Sequence, residues 1–104
     1  MRYAARVDDN HAEIVRALTR IGAYVIDCSH VGAGFPDLLI AYRGRWTLIE
    51  IKDGAKPPSR RKLTPAQTIF HAEAVAKGCK VHVIETVDQA IRLVGSIGTA
   101  RAAA

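Results

Sequence analysis

Gly34-Phe35-Pro36-Asp37-Leu38-Leu39-Ile40-Ala41-Tyr42-Arg43-Gly44-Arg45-Trp46-Thr47-Leu48-Ile49-Glu50-Ile51-Lys52 is the stretch on which the fold turns. Leu38 to Tyr42 and Trp46 to Ile51 are strand-like runs, broken by Arg43-Gly44-Arg45. A two-residue turn at Arg43-Gly44 uses glycine where such turns favour positive φ. It sets Asp37 directly across from Glu50. Lys52, two residues on, points to the same face because side chains alternate along a strand. A turn at Gly44-Arg45 would pair Asp37 with Lys52 and still keep all three on one face. A three-residue loop without a bulge would separate them, since a one-residue slip flips every side chain.

The charges have apolar neighbours. Leu39, Ala41, Trp46 and Leu48 share the face of Asp37 and Glu50, while Leu38, Ile40, Tyr42, Ile49 and Ile51 line the other. Strands apolar on both faces are normally central and covered by helices. Two carboxylates and a lysine at the mouth of such a sheet are costly to desolvate without compensation. Metal-assisted phosphodiester hydrolysis is the chemistry that needs this set. The carboxylates hold Mg²⁺ with positions left for water and a phosphate oxygen, and the lysine orients the water and offsets developing charge. An ordinary Glu–Lys pair on a hairpin would carry some of the same letters. The Gly-x-Pro-Asp element in matching register sets this chain apart from it.

Outward from the hairpin the elements follow in a readable order. Asn10-His11-Ala12-Glu13 predicts a capped first helix to about Arg20 with Ile14, Leu18 and Ile21 as its apolar stripe. Gly22 ends it, and Ala23 to Cys28 reads as a strand. Thr64-Pro65-Ala66-Gln67 opens a second helix with an N-cap, proline in the first turn and a capping-box glutamine. Ile69, Phe70 and Val75 are expected to face inward, with Gly78 as the stop. Val81 to Ile84 reads as a last strand. Thr86 caps a third helix carrying Ile91, Leu93, Val94 and Ile97, and residues 98–104 are expected to fray.

A chain of 104 residues is one domain, with a core over about 10–97, able to bury roughly 60–70% of its unfolded surface. Hydrophobic residues make up 49% of it, which excludes disorder, and the formal net charge of +5 favours a polyanionic partner. Cys28 and Cys79 lack metal-type spacing and read as small core residues of a reduced, cytoplasmic protein. No secretory signal and no membrane-spanning run is seen. Gly32 and Gly34 do not make a dinucleotide fingerprint, so no nucleotide cofactor is expected.

Gly34-Phe35-Pro36-Asp37-Leu38, Leu48-Ile49-Glu50-Ile51-Lys52 and Leu63-Thr64-Pro65-Ala66-Gln67 together resemble the PD-(D/E)xK nuclease superfamily. Within it the chain is most similar to the small stand-alone VRR-NUC-type nucleases of phages and bacteria, and more distantly to archaeal Holliday-junction resolvases. The similarity runs from about Asn10 to Val94. It implies an α/β domain with an αβββαβ core, here with a C-terminal helix, and a mixed central sheet flanked by helices. It also implies Mg²⁺ dependence, with Mn²⁺ as substitute, and cleavage of DNA, often branched. Asp37 and Glu50 would be metal ligands, the main-chain carbonyl of Ile51 would complete the shell, and Lys52 would be the catalytic lysine. Glu13 would match the first-helix acid and Gln67 the glutamine after the lysine strand.

Asp53 to Lys62 has almost no apolar content, and Lys56, Arg60, Arg61 and Lys62 follow directly after the catalytic strand. This segment is expected to grip phosphates, with Pro57-Pro58 holding Arg60 and Arg61 away from the body. A solvated linker is the alternative. His11 and His30 read as surface histidines; His71 and His82 read as packing residues. The chain therefore reads as a metal-dependent endonuclease on DNA, expected to act as a homodimer because two sites suit two strands. A DNA-binding or assembly module that keeps the fold without the chemistry is the alternative.

Overall fold

In the computed structural model, which describes the backbone of residues 8–102 and the side chains of residues 8–97, the elements are α1 (His11–Arg20), β1 (Tyr24–Asp27), β2 (Leu38–Tyr42), β3 (Arg45–Ile51), a 3-10 turn (Pro58–Arg60), α2 (Pro65–Ala76), β4 (Val81–Ile84) and α3 (Val87–Ala102). The β2–β3 hairpin turns through Arg43 (φ 49°) and Gly44 (φ 81°), the paired positive φ values of a type I′ turn. Tyr42 therefore faces Arg45 and Leu38 faces Ile49. That register continues to Asp37 opposite Glu50, as the Arg43-Gly44 turn requires.

The sheet order is β1-β2-β3-β4, antiparallel through β3 and parallel between β3 and β4. This is the mixed sheet expected from the sequence. One face is well covered. Leu38, Ile40, Ile49, Ile51 and Ile84 pack there against Ile14 and Leu18 of α1 and Ala90, Val94 and Ile97 of α3. The i, i+4 spacing of Ile14 and Leu18 puts them on one stripe of α1.

Among the described residues the other face carries only α2, and here the structure corrects the sequence reading. Ile69 and Val75 do not face inward; each is 65% exposed, and no residue of α2 is buried. The helix's apolar residues are spread around its circumference, so no single stripe commits it to the sheet. Its first turns make the contact. Phe70 meets Phe35 edge-to-face, with centroids 5.3 Å apart. Gly34, at φ 79°, lies so close under the Ala66 carbonyl that a Cβ there would collide with backbone.

Smaller expectations also shift. His11 is a buried residue, not a surface one, and its Nε2 lies 3.0 Å from Asp27 Oδ2, tying α1 to the end of β1. His30 is exposed as expected. Cys28 is buried but Cys79 is exposed, and Ile91 of α3 is half out in solvent. Asn10 occupies the N-cap of α1, its carbonyl accepting from the Ile14 N–H at 3.1 Å, but its side chain makes no cap hydrogen bond. Its Nδ2 instead donates to the carbonyls of Lys52 (3.1 Å) and Glu85 (2.9 Å), clasping the ends of β3 and β4. The tail expected to fray over 98–104 has side chains outside the described residues, and at 103–104 backbone as well. No helix among the described residues is long and apolar enough to cross a membrane.

Candidate active site

Asp37 precedes β2, Glu50 is the penultimate residue of β3, and Lys52 follows its end, so the hairpin register alone sets their side chains on the α2 face. Asp37 Oδ2 accepts from the Ile51 N–H at 2.8 Å, which pins the carboxylate beside the strand end. The N–H and C=O of an extended residue point to the same neighbour, so the Ile51 carbonyl turns to the same side. Glu50 and Lys52 are 1% and 8% exposed. Both side chains are almost wholly out of water.

Helix α2 completes the arrangement through its cap. Thr64 Oγ1 accepts from the Gln67 N–H (3.2 Å) while Gln67 Oε1 accepts from the Thr64 N–H (2.9 Å), closing the capping box read from the sequence. The same Oε1 also accepts from Lys52 Nζ at 2.8 Å, and Gln67 Nε2 donates to Glu50 Oε2 at 2.9 Å. Capping and site contact are thus one geometry, not rival explanations of Gln67. One turn further on, His71 brings its Nε2 to 3.9 Å from Glu50 Oε1. Both of those atoms are buried without a hydrogen-bond partner among the described residues.

The electrostatics follow from this burial. Glu50 is pushed up to about 9, first by desolvation and then by hydrogen bonding to, and the charge of, Asp37; Lys52 works in the opposite direction. Burial, with Lys52 adding to it, holds the His71 imidazole below its usual range. A buried carboxylate oxygen without a donor needs a proton or a cation beside it. Among the described residues no group of three or more His, Cys, Asp and Glu side chains is arranged to hold a metal ion. The groups that could hold one are two carboxylates, Asp37 and Glu50, with the Ile51 main-chain carbonyl, and Mg²⁺ is habitually held by one or two carboxylates and otherwise by water and phosphate.

Asp8 joins this set without having been foreseen. It lies near enough to act on Glu50, and its own carboxyl is raised, first by burial and then by Asp37 and Asp53 against the pull of Lys52 and Lys56. Nothing in the sequence marks it, since an Asp-Asp pair before a helix reads as surface charge. Glu13 is placed elsewhere. With His11 and Ile14 turned inward, the helix carries Glu13 outward into a separate cavity of about 380 Å³, beside Asn10, Asp53, Glu85 and Asp88. His71, read as packing, is the second residue that the sequence did not assign to the site.

The basic segment lies closer to the body than expected. Arg61 is not held away from it: Nη1 meets Glu85 Oε1 at 3.2 Å. Lys56 Nζ lies 3.8 Å from Asp8 Oδ1. Arg60 and Lys62 are exposed. The 3-10 turn at Pro58–Arg60 folds the segment back, where two prolines alone would have extended it.

No protein-family model and no curated relative matches the chain. Among solved structures, a chain described as a VRR_NUC domain superposes with a TM-score of 0.62 at 26% sequence identity, covering 85% of this chain and 97% of its own. The present chain therefore shares the PD-(D/E)xK-related fold of a VRR_NUC domain, over nearly the whole of that domain.

Proposed function

We propose that the chain is a metal-dependent endonuclease that hydrolyses DNA phosphodiester bonds, including those of branched DNA. The observation that carries this reading is the pair of buried charged residues Glu50 and Lys52 on one face with the half-buried Asp37, one oxygen of Glu50 lacking a hydrogen-bond partner among the described residues. The likeness to a VRR_NUC domain supports a nuclease-like function in general. Asp37, Glu50 and the Ile51 carbonyl would hold Mg²⁺, or Mn²⁺ in its place. When bound, the ion supplies a Lewis acid for the phosphate oxygen and a lowered pKa for the attacking water. Lys52, anchored by Gln67, keeps an ammonium aimed at the charge that develops on phosphorus oxygens. Gln67 holds Glu50 and Lys52 in one frame, so both stay oriented without water around them. Pairing of two copies to cut two strands belongs to the same reading.

A cleavage panel tests it. Linear, flapped, nicked and four-way DNA incubated with Mg²⁺ or Mn²⁺ should yield cut products, at least one substrate being cut, and Asp37→Ala should yield none. If the wild-type chain leaves every substrate intact with both ions, the reading fails.

The exposed cations of the basic segment give a separate expectation. Phosphate contacts release counterions, at a slope of about −0.9 per contact on duplex DNA. Changing Arg60 and Lys62 together to Ala should make the salt dependence of DNA affinity shallower by roughly one to two units per protomer. Arg61→Ala should change it less, because Arg61 is engaged with Glu85. Affinity measured at several salt concentrations decides this, and parallel lines would assign the segment as a solvated linker.

A further inference from the structure

A cavity of about 680 Å³ opens on the α2 side of the sheet, walled by Phe35, Leu39, Leu48 and Trp46 and edged by Arg45 and Lys80. Leu48 and Trp46 lie two and four residues before Glu50 on β3 and share its face. At strand rise this puts them roughly 7 and 13 Å from the candidate site. Trp46 is 63% exposed, so its ring is not spent on the core. Among the described residues the lining contains no Asp or Glu.

We propose that this cavity is a subsite for an unpaired nucleotide of the DNA, whose base stacks on Trp46 and Phe35 while Arg45 and Lys80 take its phosphates. The proposal deepens the nuclease reading and rests on it for the identity of the polymer. Aromatic faces with flanking cations are the combination that holds single strands without reading sequence. The span from Glu50 to Trp46 is roughly that of four stacked nucleotides at about 3.4 Å each. Charge argues against a second copy as the occupant. A twofold contact through this patch would bring the Arg45 and Lys80 of one copy against the same cationic patch of the other, with no Asp or Glu in the lining to offset them. A base in an intact duplex is paired and stacked and must be extruded to enter. The substrate class that follows is DNA with an unpaired segment beside the bond to be cut, such as a flap, gap or single-stranded end.

Trp46 is the one tryptophan in the chain, so intrinsic fluorescence reports on this cavity. The wild-type protein, without divalent metal, is titrated with oligothymidylate of about eight nucleotides, a length suited to one such platform, and with a closed-end blunt duplex. Saturable quenching by the oligonucleotide and none by the duplex is expected. Trp46→Ala should weaken affinity for flapped DNA by roughly tenfold, read by fluorescence anisotropy. Unchanged Trp46 emission at saturating oligonucleotide would overturn the proposal. So would an emission change that follows protein concentration without DNA, which would put a second copy in the cavity. Quenching without cleavage would leave the subsite standing and remove the nuclease reading; cleavage without quenching would do the reverse.

Discussion

Lys52→Met is expected to slow DNA cleavage by roughly a hundredfold or more, the scale of losing one preorganised charge-stabilising donor. The substitution keeps the alkyl stem in a buried position and removes only the ammonium. Its partner does not become an orphan, because Gln67 Oε1 retains the Thr64 N–H of the capping box. The helix end and the melting temperature should therefore change little. DNA binding measured in Ca²⁺ should persist, which separates loss of chemistry from loss of affinity. Cleavage at near wild-type rate would make Lys52 a structural residue and take the centre out of the proposed mechanism.

The second large effect concerns Glu50 and pH. Its carboxyl, near 4.5 when unconstrained, is raised to about 9 in the folded chain. Between those values the unfolded chain has released a proton that the folded chain keeps. The folded state binds more protons, so stability must fall as pH rises through this window, by up to about 1.4 kcal/mol per pH unit for one proton. Asp8 is shifted in the same direction, so the comparison of wild type with Glu50→Gln isolates Glu50. The glutamine variant should show a flatter pH dependence and, near pH 8, melt higher by about 5 °C or more. Mg²⁺ or Mn²⁺ should reverse the order. The ion needs the deprotonated carboxylate, so it should stabilise the wild type increasingly as pH rises. It should leave Asp37→Ala and Glu50→Gln unmoved. Melting curves across pH, with and without ion, test both parts; equal cation shifts in all three proteins would sink the assignment.

The hairpin and the trio on its face were legible because what fixes them is local. Gly44 fixes the turn, the turn fixes the register, and the register fixes which side Asp37, Glu50 and Lys52 share. Gln67 was legible as a cap through a box spanning four residues, while its place beside Glu50 and Lys52 came from the family resemblance alone. What could not be read depends on how elements meet. Asp8 reaches the site because Asn10 clasps the ends of β3 and β4, bringing the chain before α1 alongside Lys52. His71 enters because α2 approaches the sheet by its first turns, while Ile69 and Val75 point away. Apolar letters in α2 suggested burial, but their scatter around the helix gives no face to bury.

The attachment of α2 has an evolutionary consequence. Most catalytic groups are guests on a scaffold that would stand without them. Here the helix is the guest: it has no buried residue of its own and is held by Phe35, by the close approach at Gly34, and by the polar contacts of Gln67 with Glu50 and Lys52. A lineage that replaced both the carboxylate and the lysine by side chains unable to meet Gln67 would lose part of the helix's anchorage along with its chemistry. Descent from this chain to an inert binding module therefore has to pass through repacking of α2. Selection for a folded domain alone keeps a hydrogen-bonding partner for Gln67, while only the chemistry keeps the charges.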